Sequence, residues 1–337
     1  MSDPIDLSLL PRTVAVGPDG SLAVGGRDLV ELAEEFGTPL VVYDEEELRR
    51  RCREYAEQFG ADNVVYASKA FQCRAMVHLI DEEGLGLDVS TGGELHIARA
   101  AGFPPPRIVF HGNNKSEDEL RRGLEEGVGR IVADSFDEVD RIERLVGEGL
   151  PVPTVLVRIT PGVEAGTHTH IETGVEDSKF GFGVRGGTAL AAAQRVASSE
   201  AMRFAGVHAH IGSQIVSLDA YRRATRVVAE VLCEIEAALG TSVDEVNLGG
   251  GLGVAYRADE SPPSIADYAA NLKTAFAEAC EERGVDGEPL LVVEPGRSIV
   301  GPAGLTLYRV GTIKEVHGVR TYVAVDGGMS DNPRPAL

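Results

Sequence analysis

Short apolar runs rich in β-branched residues recur along the chain, and stretches with the periodicity of amphipathic helices separate them. The helical stretches include CRAMVHLIDEEG, SEDELRRGLEEG and DAYRRATRVVAEVLCEIEAALG. The eight apolar runs are NVVYASKA (63–70), GLGLDVST (84–91), RIVFHGNN (107–114), GRIVADS (129–135), TVLVRITP (154–161), FAGVHAHIGS (204–213), EVNLGGGLG (245–253) and PLLVVEPGR (289–297). Eight strands alternating with helices predict an α/β fold, a (β/α)₈ TIM barrel. A doubly wound open sheet is the weaker alternative, because no strand is followed by a GxGxxG fingerprint.

The two ends of the chain depart from this alternation. Residues 12–26 alternate around a Pro-Asp-Gly turn and predict a hairpin, and residues 304–326 predict further strands without helices between them. We therefore expect a second, β-rich domain built from both chain termini. The predicted division is 1–38 for the N-terminal part of this domain, 39–300 for the barrel and 301–337 for the start of the C-terminal β segment. We also expect the β domain to be incomplete, because the sequence stops at DNPRPAL.

Composition and charge narrow the class of protein. The formal net charge of -21 argues against non-specific nucleic-acid binding, and with only five lysines it fits a salt-adapted, acidic surface. The four cysteines, Cys52, Cys73, Cys233 and Cys280, form no CxxC pair, so neither a zinc site nor a disulfide framework is indicated. No signal peptide and no bilayer-spanning apolar run is recognisable, which predicts a cytoplasmic protein with no membrane partner.

Polar side chains stand at nearly every predicted strand end, where a (β/α)₈ barrel carries its chemistry. They are Lys69, Asp88, Ser90, His111, Asn113, Arg158, His208, His210, Ser213, the glycines 249–251, Glu294 and Arg297. Packing alone does not require this many polar groups. The sequence therefore predicts an active site at this rim.

Lys69 follows the first predicted barrel strand. A lysine at the mouth of an apolar barrel is expected to lose hydration, which favours the neutral amine, and a neutral amine forms Schiff bases with carbonyl compounds. The alternative is a solvated loop lysine. What the carbonyl belongs to depends on the other residues at the rim.

Two further motifs suggest a phosphorylated cofactor with a ring nitrogen. The run Gly249–Gly250–Gly251 follows the seventh strand, where backbone N–H groups can surround a phosphate. Glu294 follows the eighth strand, where a carboxylate would keep a heterocyclic nitrogen protonated. An amine-reactive lysine, a phosphate cradle and this acid together indicate pyridoxal 5'-phosphate.

The sequence HAH admits two interpretations. Side chains alternate along a strand, so His208 and His210 lie on one face and could bind zinc, as in barrel hydrolases. Such sites also need an acid and further histidines, and His168 and His170 lie in a long polar loop instead. An imidazole stacked on a cofactor ring explains the pair better, and no metal is expected.

Taken together, the motifs resemble a known family. YASKA, DVSTGGEL, HGNNKS, KFGF, HIGSQ, NLGGGLG, EPGRSIVG and DGGMSDNPRPAL look like the diaminopimelate decarboxylases, which belong to the alanine-racemase-like (fold-type III) class of pyridoxal-phosphate enzymes. The resemblance runs over essentially the whole chain. It implies decarboxylation of meso-2,6-diaminopimelate to L-lysine and carbon dioxide, the last step of lysine biosynthesis.

The resemblance also implies roles for individual residues. Lys69 would be covalently bonded to the cofactor, His210 would stack on the cofactor ring, and Glu294 would pair with its nitrogen; these are the three expected catalytic residues. The implied cofactor-binding set is Lys69, Asp88, Arg158, His210, Ser213, Gly249, Gly250, Gly251, Glu294, Pro295, Gly296 and Arg297.

Further implied roles concern the substrate and the surroundings of the cofactor. Arg297 and Arg334 would bind a substrate carboxylate as a guanidinium fork. Glu94, with Asp88 and Arg158, would help to position the lysine and the ring. The resemblance implies a homodimer whose active site is completed across the interface.

The sequence departs from the family at its end. The family's later tyrosines and cysteine–glutamate motif, which contribute to substrate binding and protonation, are not found before Leu337, so we expect a truncated decarboxylase with a nearly complete cofactor site and an incomplete substrate site. Two alternatives remain open: a decarboxylase of the same fold acting on ornithine, arginine or carboxynorspermidine, and a catalytically silent homologue. The silent homologue would be expected to have lost Lys69 or the phosphate glycines, and both are present.

Overall fold

The strands occur where the apolar runs predict them. The computed structural model describes residues 7–163, 178–285 and 287–332. The strands in these residues are β1 Ala15–Val16, β2 Leu22–Val24, β3 Arg27–Asp28, β4 Leu40–Tyr43, β5 Val65–Ala67, β6 Gly86–Val89, β7 Ile108–Phe110, β8 Arg130–Ala133, β9 Thr154–Thr160, β10 Phe182–Gly183, β11 Arg203–Ala209, β12 Glu245–Asn247, β13 Leu290–Val292, β14 Gly304–Leu307, β15 Val310–Val316 and β16 Arg320–Val325.

Helices precede the first barrel strand, alternate with the barrel strands and follow the last one. They are α1 Leu29–Phe36, α2 Glu45–Phe59, α3 Arg74–Glu82, α4 Gly92–Ala100, α5 Glu117–Glu126, α6 Phe136–Gly147, α7 Thr188–Ala197, α8 Leu218–Leu239, α9 Ile265–Arg283 and α10 Arg297–Val300. Several begin at a side-chain cap, as in α5, where Ser116 and Glu119 form a reciprocal capping box. Among the described residues, no helix combines the length and the apolar character that crossing a membrane requires.

Eight strands, β5 to β9 and β11 to β13, form one parallel sheet in chain order. Its first and last strands are joined, because the amide of Val65 donates to Val293 O at 2.9 Å and the amide of Ala67 donates to Pro295 O at 3.0 Å. The sheet therefore closes on itself, and the predicted (β/α)₈ barrel is confirmed; the open doubly wound alternative is wrong. The short strand β10, which pairs with the end of β9, was not predicted.

The barrel's apolar interior is built from one residue on each of six strands. This buried cluster consists of Val65, Val109, Val132, Leu156, Ala205 and Val292. Layers of apolar, mostly branched side chains are typical of the interior of such a barrel.

The segments near both chain ends form antiparallel sheets. Strands β1 and β2 form the predicted hairpin, closed by a hydrogen bond from the amide of Gly17 to Ser21 O at 2.8 Å. Strand β4 pairs with β14, and β15 pairs with β16. Because β4 and β14 come from opposite ends of the chain, the predicted β-rich region built from both termini is confirmed.

The chain divides into two compact units. One comprises Met1–Arg50, Tyr256–Asp259 and Val300–Leu337, and the other comprises Arg51–Ala255 and Glu260–Ile299. The second unit contains the whole barrel. The domain boundaries predicted at residues 38 and 300 stay predictions, because compactness alone does not define a domain that folds independently.

Candidate active site

Lys69 lies on the 3₁₀ turn Ser68–Ala70, directly after β5 at the C-terminal rim of the barrel. Its side chain is exposed. The expectation that apolar barrel walls strip its hydration is therefore wrong, because the groups around this rim are polar. Its charge nevertheless acts on the site, since it influences the titration of both Asp88 and His210.

Asp88, in β6, carries a carboxyl group deep below this rim. The residue is 1% exposed, and its Oδ1 atom has no hydrogen-bond partner among the described residues. Burial raises the pKa of Asp88 to about 6, against the opposing positive charges of His111 and Lys69. A buried carboxyl with an unused oxygen is a group prepared for a further polar partner.

Glu294, just beyond β13, is the centre of a buried hydrogen-bonded cluster. Its Oε1 atom lies 2.8 Å from Nε2 of His111 and accepts a hydrogen bond of 2.8 Å from Nδ2 of Asn247. Its Oε2 atom lies 3.1 Å from Nε2 of His208. Each carboxylate oxygen accepts two hydrogen bonds, so Oε2 keeps the capacity for one more donor.

The protonation states in this cluster differ from those in water. Burial by itself would raise the pKa of Glu294, but the charges and hydrogen bonds of His111 and His208 lower this pKa well below its usual range. Burial lowers the pKa of His208 to about 4, so this imidazole is neutral at neutral pH. The cluster therefore holds an ionised carboxylate inside the barrel.

The glycine run after β12 is required by close packing. A Cβ atom at Gly250 would lie 2.0 Å from Glu294 O, and one at Gly249 would lie 2.7 Å from Ala209 O. Gly249 and Gly251 also have positive φ angles of 65° and 114°. The chain at this point fits between the ends of the neighbouring strands only without side chains.

Two amides of this run already have partners within the protein. The amide of Gly249 donates to Oδ1 of Asn247 at 2.9 Å, and the amide of Gly250 donates to Nδ1 of His210 at 3.3 Å. His210 is half-buried at the end of β11. Burial, followed by the positive charge of Lys69, lowers the pKa of His210 well below its usual value. His210 thus contacts the glycine run and is close enough to Lys69 for the lysine charge to affect its titration.

Arg297 and Ser213 come together from two loops of the rim. The Nε atom of Arg297 donates to Oγ of Ser213 at 3.0 Å. Arg297 begins α10, after the buried Pro295 and Gly296. A Cβ atom at Gly296 would lie only 3.0 Å from Cβ of Ala67, so this turn needs glycine where the barrel closes.

Arg158 and Glu94 are the remaining described members of the predicted site. Arg158 is 8% exposed, with its guanidinium 4.4 Å from the ring centroid of Phe180 and 3.6 Å from Oδ1 of Asp134. Glu94 accepts a hydrogen bond of 2.6 Å from the amide of Ser90. Arg334, His168 and His170 lie outside the described residues.

The HAH pair does not form a zinc site by itself, because His208 contacts Glu294 whereas His210 contacts the glycine run. Among the described residues, the group suited to metal binding is His111, His208 and Glu294. The separation of 2.8 Å between His111 and Glu294 is that of a hydrogen bond, whereas two ligands of a tetrahedral zinc ion lie about 3.3 Å apart. This geometry favours a shared proton over a metal.

Sequence reasoning missed the partners of Glu294. The sequence places His111 at a strand end without indicating a role, pairs His208 with His210, and does not distinguish Asn247 from other strand residues. The usable signal was position: His111 directly follows β7, His208 lies near the end of β11 and Asn247 ends β12. Strand ends of a closed barrel converge, so these residues were candidates for one cluster.

The family comparison matches most of the chain. Residues 45–301 match the model described as "Pyridoxal-dependent decarboxylase, pyridoxal binding domain". A curated relative from Mycobacterium tuberculosis, named diaminopimelate decarboxylase, is 48% identical over 97% of this chain and 75% of its own length. A relative of the same name from Bacillus subtilis is 48% identical over 94% of this chain and 73% of its own length.

Solved structures give a consistent comparison. The diaminopimelate decarboxylase from M. jannaschii in complex with L-lysine has a TM-score of 0.88 and 36% identity, covering 97% of this chain and 76% of that chain. The lysine/ornithine decarboxylase from Vibrio vulnificus in complex with putrescine has a TM-score of 0.72 at 22% identity, covering 89% of this chain and 75% of that chain. At 22% identity the second comparison concerns the fold alone.

Proposed function

Because the chain belongs to the pyridoxal-dependent decarboxylase family, we propose that it decarboxylates meso-2,6-diaminopimelate to L-lysine and carbon dioxide. The observation that carries this proposal is the 48% identity to curated diaminopimelate decarboxylases along nearly the whole chain. The residues at the rim supply the groups that would hold the cofactor of this reaction. The chain is accordingly a carboxy-lyase that acts on an amino acid.

The residues present fit pyridoxal 5'-phosphate. The ionised Glu294 has room for one more donor, as a protonated ring nitrogen requires, and Asp88 has an oxygen without a hydrogen-bond partner among the described residues. The turns at Gly249–Gly251 and Gly296 leave no space for side chains, so backbone amides can approach a phosphate closely. When bound, this cofactor supplies the electron sink that accepts the bonding electrons as carbon dioxide leaves.

Each protein group has a separate task in this proposal. Lys69 carries the amine that bonds to the cofactor, and its exposed position leaves it accessible. Glu294 holds a proton on the ring nitrogen, and His111, His208 and Asn247 hold the Glu294 carboxylate in place. His210 lies against the glycine run, in a position to cover one face of the ring.

The phosphate and the substrate would be bound at the Arg297–Ser213 pair. A guanidinium matches a carboxylate or a phosphate with parallel hydrogen bonds, and Ser213 fixes the direction of the Arg297 side chain through Nε. The distal carboxylate of diaminopimelate distinguishes it from ornithine. A second arginine, Arg334, is proposed to contribute to this recognition.

We further propose that the enzyme is a cytoplasmic homodimer whose active site is completed by the second copy. The support is the family resemblance of the sequence. Sedimentation equilibrium tests the dimer, because a mass equal to that of a single chain at micromolar concentration would contradict it. The salt-adapted surface also stays a prediction, to be tested by stability in increasing salt.

A single preparation tests the proposed chemistry. The purified chain is incubated with pyridoxal 5'-phosphate and reduced with borohydride, and mass spectrometry locates the bound cofactor. We expect the label on Lys69 and its absence in Lys69→Ala, with Lys179→Ala as the control lysine variant. Cofactor bound to a different lysine, or none bound, would overturn the assignment.

Substrate specificity needs a separate comparison. Release of carbon dioxide is measured with meso-diaminopimelate, ornithine and arginine under the same conditions. We expect kcat/KM to be highest for diaminopimelate. A preference for ornithine or arginine would instead identify another decarboxylase of the same fold.

A further inference from the structure

Lys115 is a buried cation outside the catalytic set. It is 2% exposed, and its Nζ atom donates to Gly112 O at 2.8 Å, to Val132 O at 2.8 Å and to Oε1 of Glu138 at 2.6 Å. An ammonium group has three N–H donors, so every donor of Lys115 is used. A buried charge needs this degree of pairing, because removing an ammonium from water costs several kcal/mol.

Glu138 connects Lys115 to the end of the next barrel strand. It lies in the first turn of α6 and is 3% exposed. Its second oxygen, Oε2, accepts a hydrogen bond of 3.0 Å from the amide of Asp134. Since Gly112 follows β7 and Asp134 follows β8, the ion pair of Lys115 and Glu138 fixes the ends of two neighbouring barrel strands relative to each other.

Asp134 connects the ion pair to the active site. Its Oδ2 atom accepts a hydrogen bond of 2.9 Å from the amide of Gly181, and its Oδ1 atom lies 3.6 Å from Nη1 of Arg158. A separation of 3.6 Å is too long for a hydrogen bond, so the attraction between Asp134 and Arg158 is electrostatic. Arg158 in turn interacts electrostatically with Glu294 and Asp88.

We propose that Lys115 and Glu138 are positioning residues for the decarboxylase, an inference that rests on the proposed function. They hold Asp134, and Asp134 holds the Arg158 cation beside Glu294 and Asp88. Neither Lys115 nor Glu138 touches the reacting groups. Their effect is to set where the positive charge of Arg158 stands in the cofactor site.

A purely structural role makes a different prediction. An uncharged pair of similar volume is often as stable as a buried ion pair, whereas removing one partner leaves an unpaired charge. A pair variant that restores stability should then also restore function if the ion pair only supports the fold. If the pair positions Asp134 and Arg158, stability returns without full cofactor affinity.

The experiment compares Lys115→Met, Glu138→Gln and the double variant. We expect Lys115→Met to melt at a lower temperature and the double variant to melt near the wild-type temperature. The dissociation constant for pyridoxal 5'-phosphate, measured by equilibrium dialysis, should still be raised roughly tenfold in the double variant, because small misplacements in a site have large effects. A double variant with wild-type stability and wild-type cofactor affinity overturns the proposal.

The Asp134→Asn variant tests the proposal independently and can be used if the double variant does not fold. Asparagine keeps an oxygen for the amide of Gly181 but removes the charge that faces Arg158. We expect roughly a tenfold weaker binding of the cofactor, and no additional loss when Asp134→Asn is combined with a folded pair variant. Unchanged affinity in Asp134→Asn, or effects that multiply in the combination, contradict the proposed connection.

The exposed ion pair of Arg144 and Glu117 is the matched control. It joins α5 to α6, next to the buried pair, with side-chain exposures of 49% and 45%. The double variant Arg144→Met/Glu117→Gln should leave cofactor affinity unchanged, since exposed ion pairs contribute little. The ratio of cofactor dissociation constants decides the inference, so an absence of turnover on diaminopimelate by the wild-type chain counts against the proposed function alone.

Discussion

The Nε2 atom of His208 lies 3.1 Å from Oε2 of Glu294, and both residues are nearly inaccessible to water. Burial lowers the pKa of His208 to about 4, so the imidazole is neutral at neutral pH and donates its single N–H proton from Nε2. Its Nδ1 atom has no hydrogen-bond partner among the described residues. Glu294 is therefore held by a neutral donor on this side, and its negative charge stays available for a cationic ligand.

We expect Glu294→Gln to lower kcat by roughly 10²- to 10³-fold, because a neutral amide does not hold a proton on the ring nitrogen. Steady-state rates with diaminopimelate measure this effect. Glu125→Gln, an exchange at an exposed position of α5, is the matched control and should behave as wild type. A Glu294→Gln enzyme with near-normal kcat would assign the proton-holding role elsewhere.

The buried groups Asp88 and His208 have opposite effects on how the free energy of unfolding changes with pH. Burial raises the pKa of Asp88 to about 6, so its unfavourable contribution, present above pH 6, is relieved as the pH falls. Burial lowers the pKa of His208 from 6.5 to about 4, so stability is lost as the pH falls through this range, where the unfolded chain binds a proton that the folded chain does not. The two contributions largely cancel in the wild-type protein.

Single substitutions should expose each contribution. Between pH 6.5 and pH 4, we expect cofactor-free Asp88→Asn to lose roughly 2 kcal/mol more unfolding free energy than the wild type, and His208→Gln to lose roughly 2 kcal/mol less. Urea denaturation at several pH values measures the difference. Parallel pH profiles for wild type and both variants would show that these groups do not titrate as inferred.

Gly250→Ala is expected to disrupt the site by steric overlap. The added Cβ atom would lie 2.0 Å from Glu294 O, so the glycine run or the end of β13 must move. We expect a loss of about 3 kcal/mol or more in unfolding free energy and weaker cofactor binding. Gly147→Ala, in α6, is the control, since no atom lies within 4 Å of its added Cβ and alanine favours a helix.

Arg297→Lys tests the guanidinium at the rim. Lysine keeps the charge but lacks the Nε that donates to Ser213 and the planar fork that matches a carboxylate. We expect KM for diaminopimelate to rise roughly tenfold, with a smaller change in kcat. An unchanged KM would place the recognition of the substrate carboxylate on other residues.

Most of the barrel could be predicted because its strands are buried on both faces and therefore appear as continuous apolar runs. The two-residue strand β10 is too short to produce such a run. The polar rim could be predicted as a set, but which members meet depends on how the strands are staggered around the barrel. His111 and Glu294 are in contact across the barrel mouth, and no sequence pattern specifies that pairing.

For Lys69 the sequence predicts the position correctly but the environment incorrectly. An apolar run immediately before it suggested a dry surrounding, but the local turn of residues 68–70 carries the side chain beyond the strand, to a rim lined by charged and polar groups. The side chains that sense its charge, Asp88 and His210, come from segments distant in the sequence. Local composition therefore located the lysine correctly and described its environment incorrectly.

The hydrogen bonds that join the first and last barrel strands have a consequence for how the site is assembled. Lys69 follows the first barrel strand and Glu294 follows the last, and these two strands are joined by hydrogen bonds from the amides of Val65 and Ala67 to Val293 O and Pro295 O. A cofactor that bonds to Lys69 and pairs with Glu294 would therefore need the closed ring of strands, because its two anchors follow opposite ends of the barrel sequence.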